Sequence, residues 1–351
     1  MFITGVGTAT PAQRYTQIEC WEVLQRSRHF EELKPRSQAI LRKVLTGQSG
    51  IHTRHLALND LNEAFQMTPD ALHDRFEAEA PRLAIQAARS ALQKANQSPQ
   101  QIDAVLVSTC TGYLCPGLSS YVAEGLGLRG NILGLDLVGQ GCGAALPNLR
   151  AAEALLTSGL YGRVLSVCVE VCSAAFYLDN DPGVLISACL FGDGAGAAVL
   201  SVENGAERRL EWKSSDSVLK PKDRNVLRFE QKDGMLRNVL GLQVPAMAAR
   251  EVAGVCETLL SRAGLPREKV AAWILHPGGR DVLTAIGKRL NLTETDLRWS
   301  AQVLRECGNI SSASLYFVLA AALREDAPGG CWLLSSFGAG FSCHGALLEV
   351  V

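Results

Sequence analysis

The stretch ILGLDLVGQGCGAALPNLRAAEALL, residues 132–156, reads as a strand, a tight turn and a helix. The apolar run Ile132–Leu137 has the length and composition of a buried strand. From Ala144 to Thr157, apolar residues recur at helical spacing among strong helix formers. Between them lies Gly139-Gln-Gly-Cys-Gly143, whose glycines let backbone and ligand approach closely. This puts Cys142 at a helix N-terminus, where the dipole lowers a thiol pKa and favours the nucleophilic thiolate. The competing reading is a small buried cysteine in a tight turn. A strand, glycine turn and helix in that order belong to layered α/β architecture.

Working outward, the same order of blocks occurs twice. AVLVSTCTG (104–112), GQGCGAALPNLRAAEALL (139–156), RVLSVCVE (163–170) and LFGDGAGAAVLSVE (190–203) form the first set. AAWILHPGG (271–279), RECGNISSASLYFVLAAAL (305–323), CWLLSS (331–336) and SFGAGFSCHGALLEVV (336–351) form the second. Superposing them sets Thr109 opposite His276 and Cys142 opposite Asn309, both at an offset of 167. Phe191 falls opposite Phe337 at an offset of 146, so the first half carries about 21 extra residues after Cys172, in CSAAFYLDNDPGVLISACL. The repeat predicts two similar α/β halves, residues 1–203 and 204–351, related by a pseudo-twofold axis. Equivalent strand-to-helix turns would meet near that axis, and three of them end in Cys142, His276 and Asn309.

Strands are expected at Phe2–Val6, Ala104–Ser108, Ile132–Leu137, Val164–Val169, Gly196–Val202, Ala271–Leu275, Trp332–Ser335 and Gly345–Val350. Helices are expected at Arg82–Ala95, Leu118–Gly125, Ala144–Thr157, Ala246–Ala263, Asp281–Leu290 and Ser312–Ala322. The polar stretch 204–233 reads as a connection between halves.

His276 ends a strand and enters His-Pro-Gly-Gly, a place from which a ring reaches a cleft. His29, His52, His55 and His73 lie in polar surroundings, and His344 reads as structural. Asn309, in Cys-Gly-Asn-Ile-Ser-Ser, suits a turn and helix cap, and it also offers an amide donor at the turn matching Cys142. Phe191-Gly-Asp-Gly-Ala-Gly196 lacks the lysine and spacing of a phosphate loop, which leaves tight backbone packing.

The 351 residues include 34 Lys+Arg and 35 Asp+Glu, and the net charge of −1 argues against nucleic acid or an anionic membrane as main partner. No run offers about 18 uncharged apolar residues, the length of a membrane span. MFITGVGTATP has no basic region before its apolar stretch, so a cytoplasmic protein is expected. Eleven cysteines, none in a CxxC pair, give little support for a structural zinc site. They read mostly as small buried hydrophobes in a reducing compartment.

Taken in order, GQGCGAALPNL, LFGDGAGAA, HPGG, GNISSAS and SFGAG resemble the thiolase superfamily, and within it the type III polyketide synthases. The resemblance runs from Ile3 to Val351. Ketoacyl synthase III enzymes, the alternative, usually show His-x-Ala-Asn where this chain has His276-Pro-Gly-Gly. The resemblance implies a thiolase-like αβαβα fold, a homodimer, and a catalytic triad of Cys142, His276 and Asn309. It implies condensation of malonyl-CoA onto an acyl-CoA starter, with no metal or redox cofactor. Phe191 matches a gatekeeper. Cys110, Thr111, Gly234 and Ser311 match positions lining the family's cavity, and Cys115 one that crosses into the neighbour's cavity. Phe337 lies in the C-terminal loop, Ser336-Phe-Gly-Ala-Gly340 here against the family's Gly-Phe-Gly-Pro-Gly. Arg42 and Lys43 are the candidates for the coenzyme A phosphates.

Overall fold

The computed structural model describes residues 1–47, 49–205 and 208–351. The first half runs β1 (Phe2–Ala9), β2 (Arg14–Thr16), α1 (Gln17–Leu24), α2 (Arg28–Glu31), α3 (Pro35–Thr46), β3 (Thr53–His55), α4 (Pro69–Lys94) and β4 (Ala104–Thr109). It continues with α5 (Leu118–Leu126), β5 (Leu133–Val138), α6 (Ala145–Thr157), β6 (Arg163–Glu170), α7 (Pro182–Leu190) and β7 (Gly194–Ser201). Then come β8 (Leu210–Leu219), β9 (Leu227–Lys232), β10 (Met235–Leu240), α8 (Val244–Ala263) and β11 (Val270–Leu275). The chain closes with α9 (Arg280–Leu290), α10 (Glu294–Cys307), α11 (Ser314–Arg324), β12 (Gly330–Gly338) and β13 (Ser342–Val350).

Nine strands form one mixed sheet in the order β11-β12-β13-β8-β1-β7-β6-β4-β5. Outward from its middle, β1-β7-β6-β4 on one side faces β8-β13-β12-β11 on the other. β1 and β8 meet through only two residue pairs, Phe2 with Glu211 and Ile3 with Leu210.

Alternation of side chains across each strand then builds five layers. Leu106, Val164, Trp332 and Leu334 from the two halves share one core with Leu149 of α6 and Leu319 of α11. Their sequence neighbours Val105, Val107 and Leu165 face the other way, onto α4 and α5. Trp273, Leu333 and Leu347 likewise face α8 and α9. These strands are apolar on both faces because both faces are covered. The fold is thus α/β and thiolase-like, with α6 and α11 as the central layer.

Residues 204–233 differ from the expected connection. They hold β8 and β9, and β8 pairs with β13 from Leu210–Val350 to Leu219–Ser342. Only Leu210 and Trp212 of β8 are buried, so its apolar alternation is too weak to mark a strand, and the neighbouring strands supply the pairing. The extra segment of the first half forms α7, capped by Asp181, whose side chain accepts from Gly183 and Val184 N–H. No helix among the described residues is long and apolar enough to cross a membrane.

Candidate active site

Both central helices begin at the same place. Ahead of α6, Gly139 (φ +86°) and Gly141 (φ +56°) adopt left-handed conformations that glycine reaches at little cost. They turn the chain so that Cys142 sits in a single 3₁₀ turn, Gly141–Gly143. This turn packs backbone to backbone on the end of β12. A Cβ on Gly338 would lie 2.4 Å from Gly143 N, and the Ser336 hydroxyl donates to Gly143 O at 3.0 Å.

His276 leaves β11 with its N–H on Ser335 O at 2.9 Å. Its ring meets Phe337 edge-on, centroids 5.1 Å apart, and neither ring nitrogen has a hydrogen-bond partner in the described structure. The Asn309 amide donates to Gly278 O at 3.2 Å, tying it to the histidine loop. An amide nitrogen carries two hydrogens, so one remains beyond that bond. Asn309 Oδ1 accepts from Ser311 N–H at 2.8 Å. That bond holds Ser311 at φ +46°, uncommon for a non-glycine residue, and the Ser311 hydroxyl donates to Cys142 Sγ at 3.4 Å. Cys142, His276 and Asn309 line one cavity of about 650 Å³, with Phe191 and Phe337 in its wall.

The electrostatics correct one expectation. Cys142 stands beside a helix N-terminus, yet burial pushes its thiol up to about 12. Burial also pushes the His276 imidazole down to about 3. Each charge is disfavoured alone because each is cut off from water. The helix N-terminus by itself therefore does not hold Cys142 as a thiolate.

The other sequence candidates divide. Phe191 lines the main cavity and also a chamber of about 20 Å³ behind it. Ser311 touches the nucleophile. Cys110 Sγ is 3.2 Å from Ser311 Oγ, and Thr111 donates to Glu170 at 2.9 Å; neither lines the main cavity. Cys115 is exposed and outside this chain's cavity. Gly234 is corrected: it lies in the exposed β9–β10 turn beside Pro69, away from the cavity. Arg42 is not among the residues that line the cavity. Ile40, Lys43, Val44 and Gly47 line the mouth, one face of α3 at three- and four-residue spacing. Arg42 projects off that face, and Arg280 joins Lys43 at the mouth instead.

Glu170 escaped the sequence reading. It is fully buried and accepts from Cys110 N–H at 3.1 Å, the Thr111 hydroxyl and the Ser312 hydroxyl, one turn from Asn309. Burial raises its carboxyl above the usual range. The available signal was a single carboxylate inside the apolar run RVLSVCVEVC. All eleven cysteines are free thiols, and eight are buried.

Comparison with known proteins adds the following. Residues 8–225 match the family described as FAE1/Type III polyketide synthase-like protein. Residues 211–351 match the C-terminal domain of chalcone and stilbene synthases. A 3,5-dihydroxyphenylacetyl-CoA synthase from Amycolatopsis orientalis is 30% identical over 98% of this chain and 92% of its own length. One from Streptomyces toyocaensis is 28% identical over 99% of this chain and 89% of its own. The crystal structure of 1,3,6,8-tetrahydroxynaphthalene synthase from Streptomyces coelicolor A3(2) superposes with a TM-score of 0.90 at 25% identity, covering 99% of both chains. That of PKS-I from the brown alga Ectocarpus siliculosus gives 0.89 at 27% identity, covering 99% of this chain and 98% of the other.

Proposed function

The chain belongs to the type III polyketide synthase family, and from that premise we propose that it extends an acyl-CoA starter with malonyl-CoA through a thioester on Cys142. The observation that carries this reading is the convergence of Cys142, His276 and Asn309 on one cavity of about 650 Å³. The enzyme is an acyltransferase.

In the proposed cycle the Cys142 proton passes to His276, and the thiolate attacks the starter carbonyl. Coenzyme A leaves as its thiol, taking the proton from imidazolium. Malonyl-CoA then enters past Lys43 and Arg280, the cations of the cavity lining that this reading assigns to its phosphates. Its carboxylate leaves as carbon dioxide, and the electron pair becomes an enolate on the thioester. His276 and the remaining Asn309 amide hydrogen stabilise that oxygen, an effect worth about 3–4 kcal/mol for one such donor. The enolate carbon attacks the Cys142 thioester, a C–C bond forms, and sulfur leaves. The chain, longer by two carbons on coenzyme A, returns to Cys142 for another round. Ring closure then gives a pyrone, resorcinol or related aromatic product. Exclusion of water by the buried walls protects enolate and thioester from hydrolysis. The thioesters themselves drive the chemistry, so the proposal includes no metal or redox cofactor.

A cytoplasmic homodimer belongs to the same reading. Tyr113, two residues before Cys115, is 70% exposed, and Val138 at the end of the edge strand β5 is 58% exposed; both offer apolar surface to a second copy.

The test uses a panel of acyl-CoAs with malonyl-CoA, products identified by mass. Intact-protein mass should show the acyl group on the native enzyme and not on Cys142→Ala. Condensation by Cys142→Ala would end the nucleophile assignment.

A further inference from the structure

Arg54 lies in β3, 3% exposed, and the cycle above makes no use of it. Its Nε donates to Gln17 Oε1 at 3.0 Å. Its Nη1 donates to Ala188 O at 2.9 Å and Phe191 O at 2.8 Å. Gln17 in turn donates to Cys189 O at 2.9 Å. None of these acceptors is a carboxylate. A buried guanidinium without a counter-charge in its hydrogen-bond shell is costly, so its carbonyl partners matter.

Those carbonyls belong to the end of α7. The last turn of a helix leaves carbonyls without intrahelical donors, and a cation is favourable there. Arg54 and Gln17 satisfy three of the four carbonyls from Ala188 to Phe191. The fourth, Leu190 O, accepts from Asn309 N–H at 2.9 Å, and Gly192 N–H donates to Asn309 O at 3.0 Å. Phe191 and Asn309 are thereby joined as a parallel bridge. On the other side Gly308 (φ +71°) lies so close that a Cβ there would be 3.0 Å from Arg54 Cγ and 2.7 Å from Leu190 O. One cation therefore holds the backbone that presents Phe191 and packs under the residue that precedes Asn309.

We propose that Arg54 is the positioning residue for the Phe191–Asn309 bridge. By fixing that bridge it sets where the Phe191 ring stands in the wall of the main cavity, and it aims the Asn309 amide at the enolate. It thus governs which starter acyl groups are accepted, and it rests on the condensing activity proposed above only for its kinetic readouts. A lysine cannot replace it, because a single ammonium lacks the planar fork that spans Gln17 and two carbonyls.

Arg54→Lys is the test, with thermal melts to verify folding. Three readings are taken. The first is hydrogen exchange at the Gly192 and Asn309 amides, expected to quicken about tenfold. The second is malonyl-CoA decarboxylation, expected to fall about tenfold in kcat with little change in KM. The third is the kcat/KM ratio of acetyl-CoA to hexanoyl-CoA, expected to shift about tenfold in the native background and to stay unchanged by Arg54→Lys in Phe191→Ala. Unchanged exchange in a folded variant overturns the proposal, and so does an equal shift of the ratio in both backgrounds. If Arg54→Lys does not fold, Gln17→Leu, which leaves the cation and removes its orienting amide, should move all three in the same direction. A native enzyme that condenses no acyl-CoA would sink the proposed function, while the exchange measurement would still decide the role of Arg54.

Discussion

Replacing His276 with glutamine isolates the Cys142 thiol from its proposed proton acceptor and keeps a polar side chain of similar size. Burial pushes this thiol from 9.0 up to about 12. That rise corresponds to about 4 kcal/mol and lowers the thiolate fraction at neutral pH about a thousandfold. In the proposed cycle imidazolium at His276 offsets this rise: brought into contact at an effective dielectric near 20, opposite charges attract by about 4 kcal/mol, and the burial cost of the imidazole must be met as well. The assay is alkylation by iodoacetamide, followed by mass spectrometry of the Cys142 peptide. Exposed Cys115 serves as the internal reference in both proteins. In His276→Gln the Cys142 rate should rise about tenfold per pH unit up to about pH 10, without a plateau. Near pH 7 it should lie at least about a hundredfold below the native rate. Equal rates for the two proteins near pH 7, or a plateau in the variant below about pH 9, would refute the argument that the imidazole and not the helix end supplies the thiolate.

Three further outcomes follow from the same geometry. Ser311→Ala removes the hydroxyl bonded to Cys142 Sγ; single-turnover acylation should slow about three- to tenfold, the worth of one hydrogen bond, and an unchanged rate would remove Ser311 from the thiol's environment. Gly338→Ala forces a Cβ to within 2.4 Å of Gln140 O and Gly143 N; a cost of about 1–3 kcal/mol should appear as a lower Tm together with lost acylation, and full activity would show that the nucleophile turn yields freely. Glu170 has its folded pKa raised by burial, so the folded state keeps a proton that the unfolded chain has released. Its contribution to stability is therefore present at low pH and lost as pH rises through the folded pKa. Glu170→Gln cannot lose that proton, so its Tm relative to the native enzyme should be higher near pH 8.5 than near pH 5.5; the opposite sign would mean the carboxylate is the stable form.

Much of the site was legible because its parts are local. The turn around Cys142 is written in five consecutive residues between an apolar run and a helical pattern. His276 and Asn309 became legible through the internal repeat, which aligns turns that local pattern treats as ordinary. α10 was legible and passed over: Thr293 and Asp296 form a capping box ahead of an amphipathic helix. β8 was not, because its partners are β13 and β1 and its own residues are mostly polar. Glu170 was not, because its role rests on donors from the ends of β4 and the turn before α11, far apart in the chain.

Sequence by itself determined the layered α/β class and singled out the turns at Cys142, His276 and Asn309 that line one cavity, since these depend on periodicity and on short glycine turns. Only the tertiary structure decided which face of α3 meets the cavity, which put Lys43 there and Arg42 outside. It alone placed Gly234 away from the site and joined Phe191 to Asn309 over Arg54. It also reversed the expected direction of the Cys142 pKa. Burial and pairing are properties of space enclosed by distant segments, and a thiol's charge depends on the water those segments exclude more than on the helix it precedes.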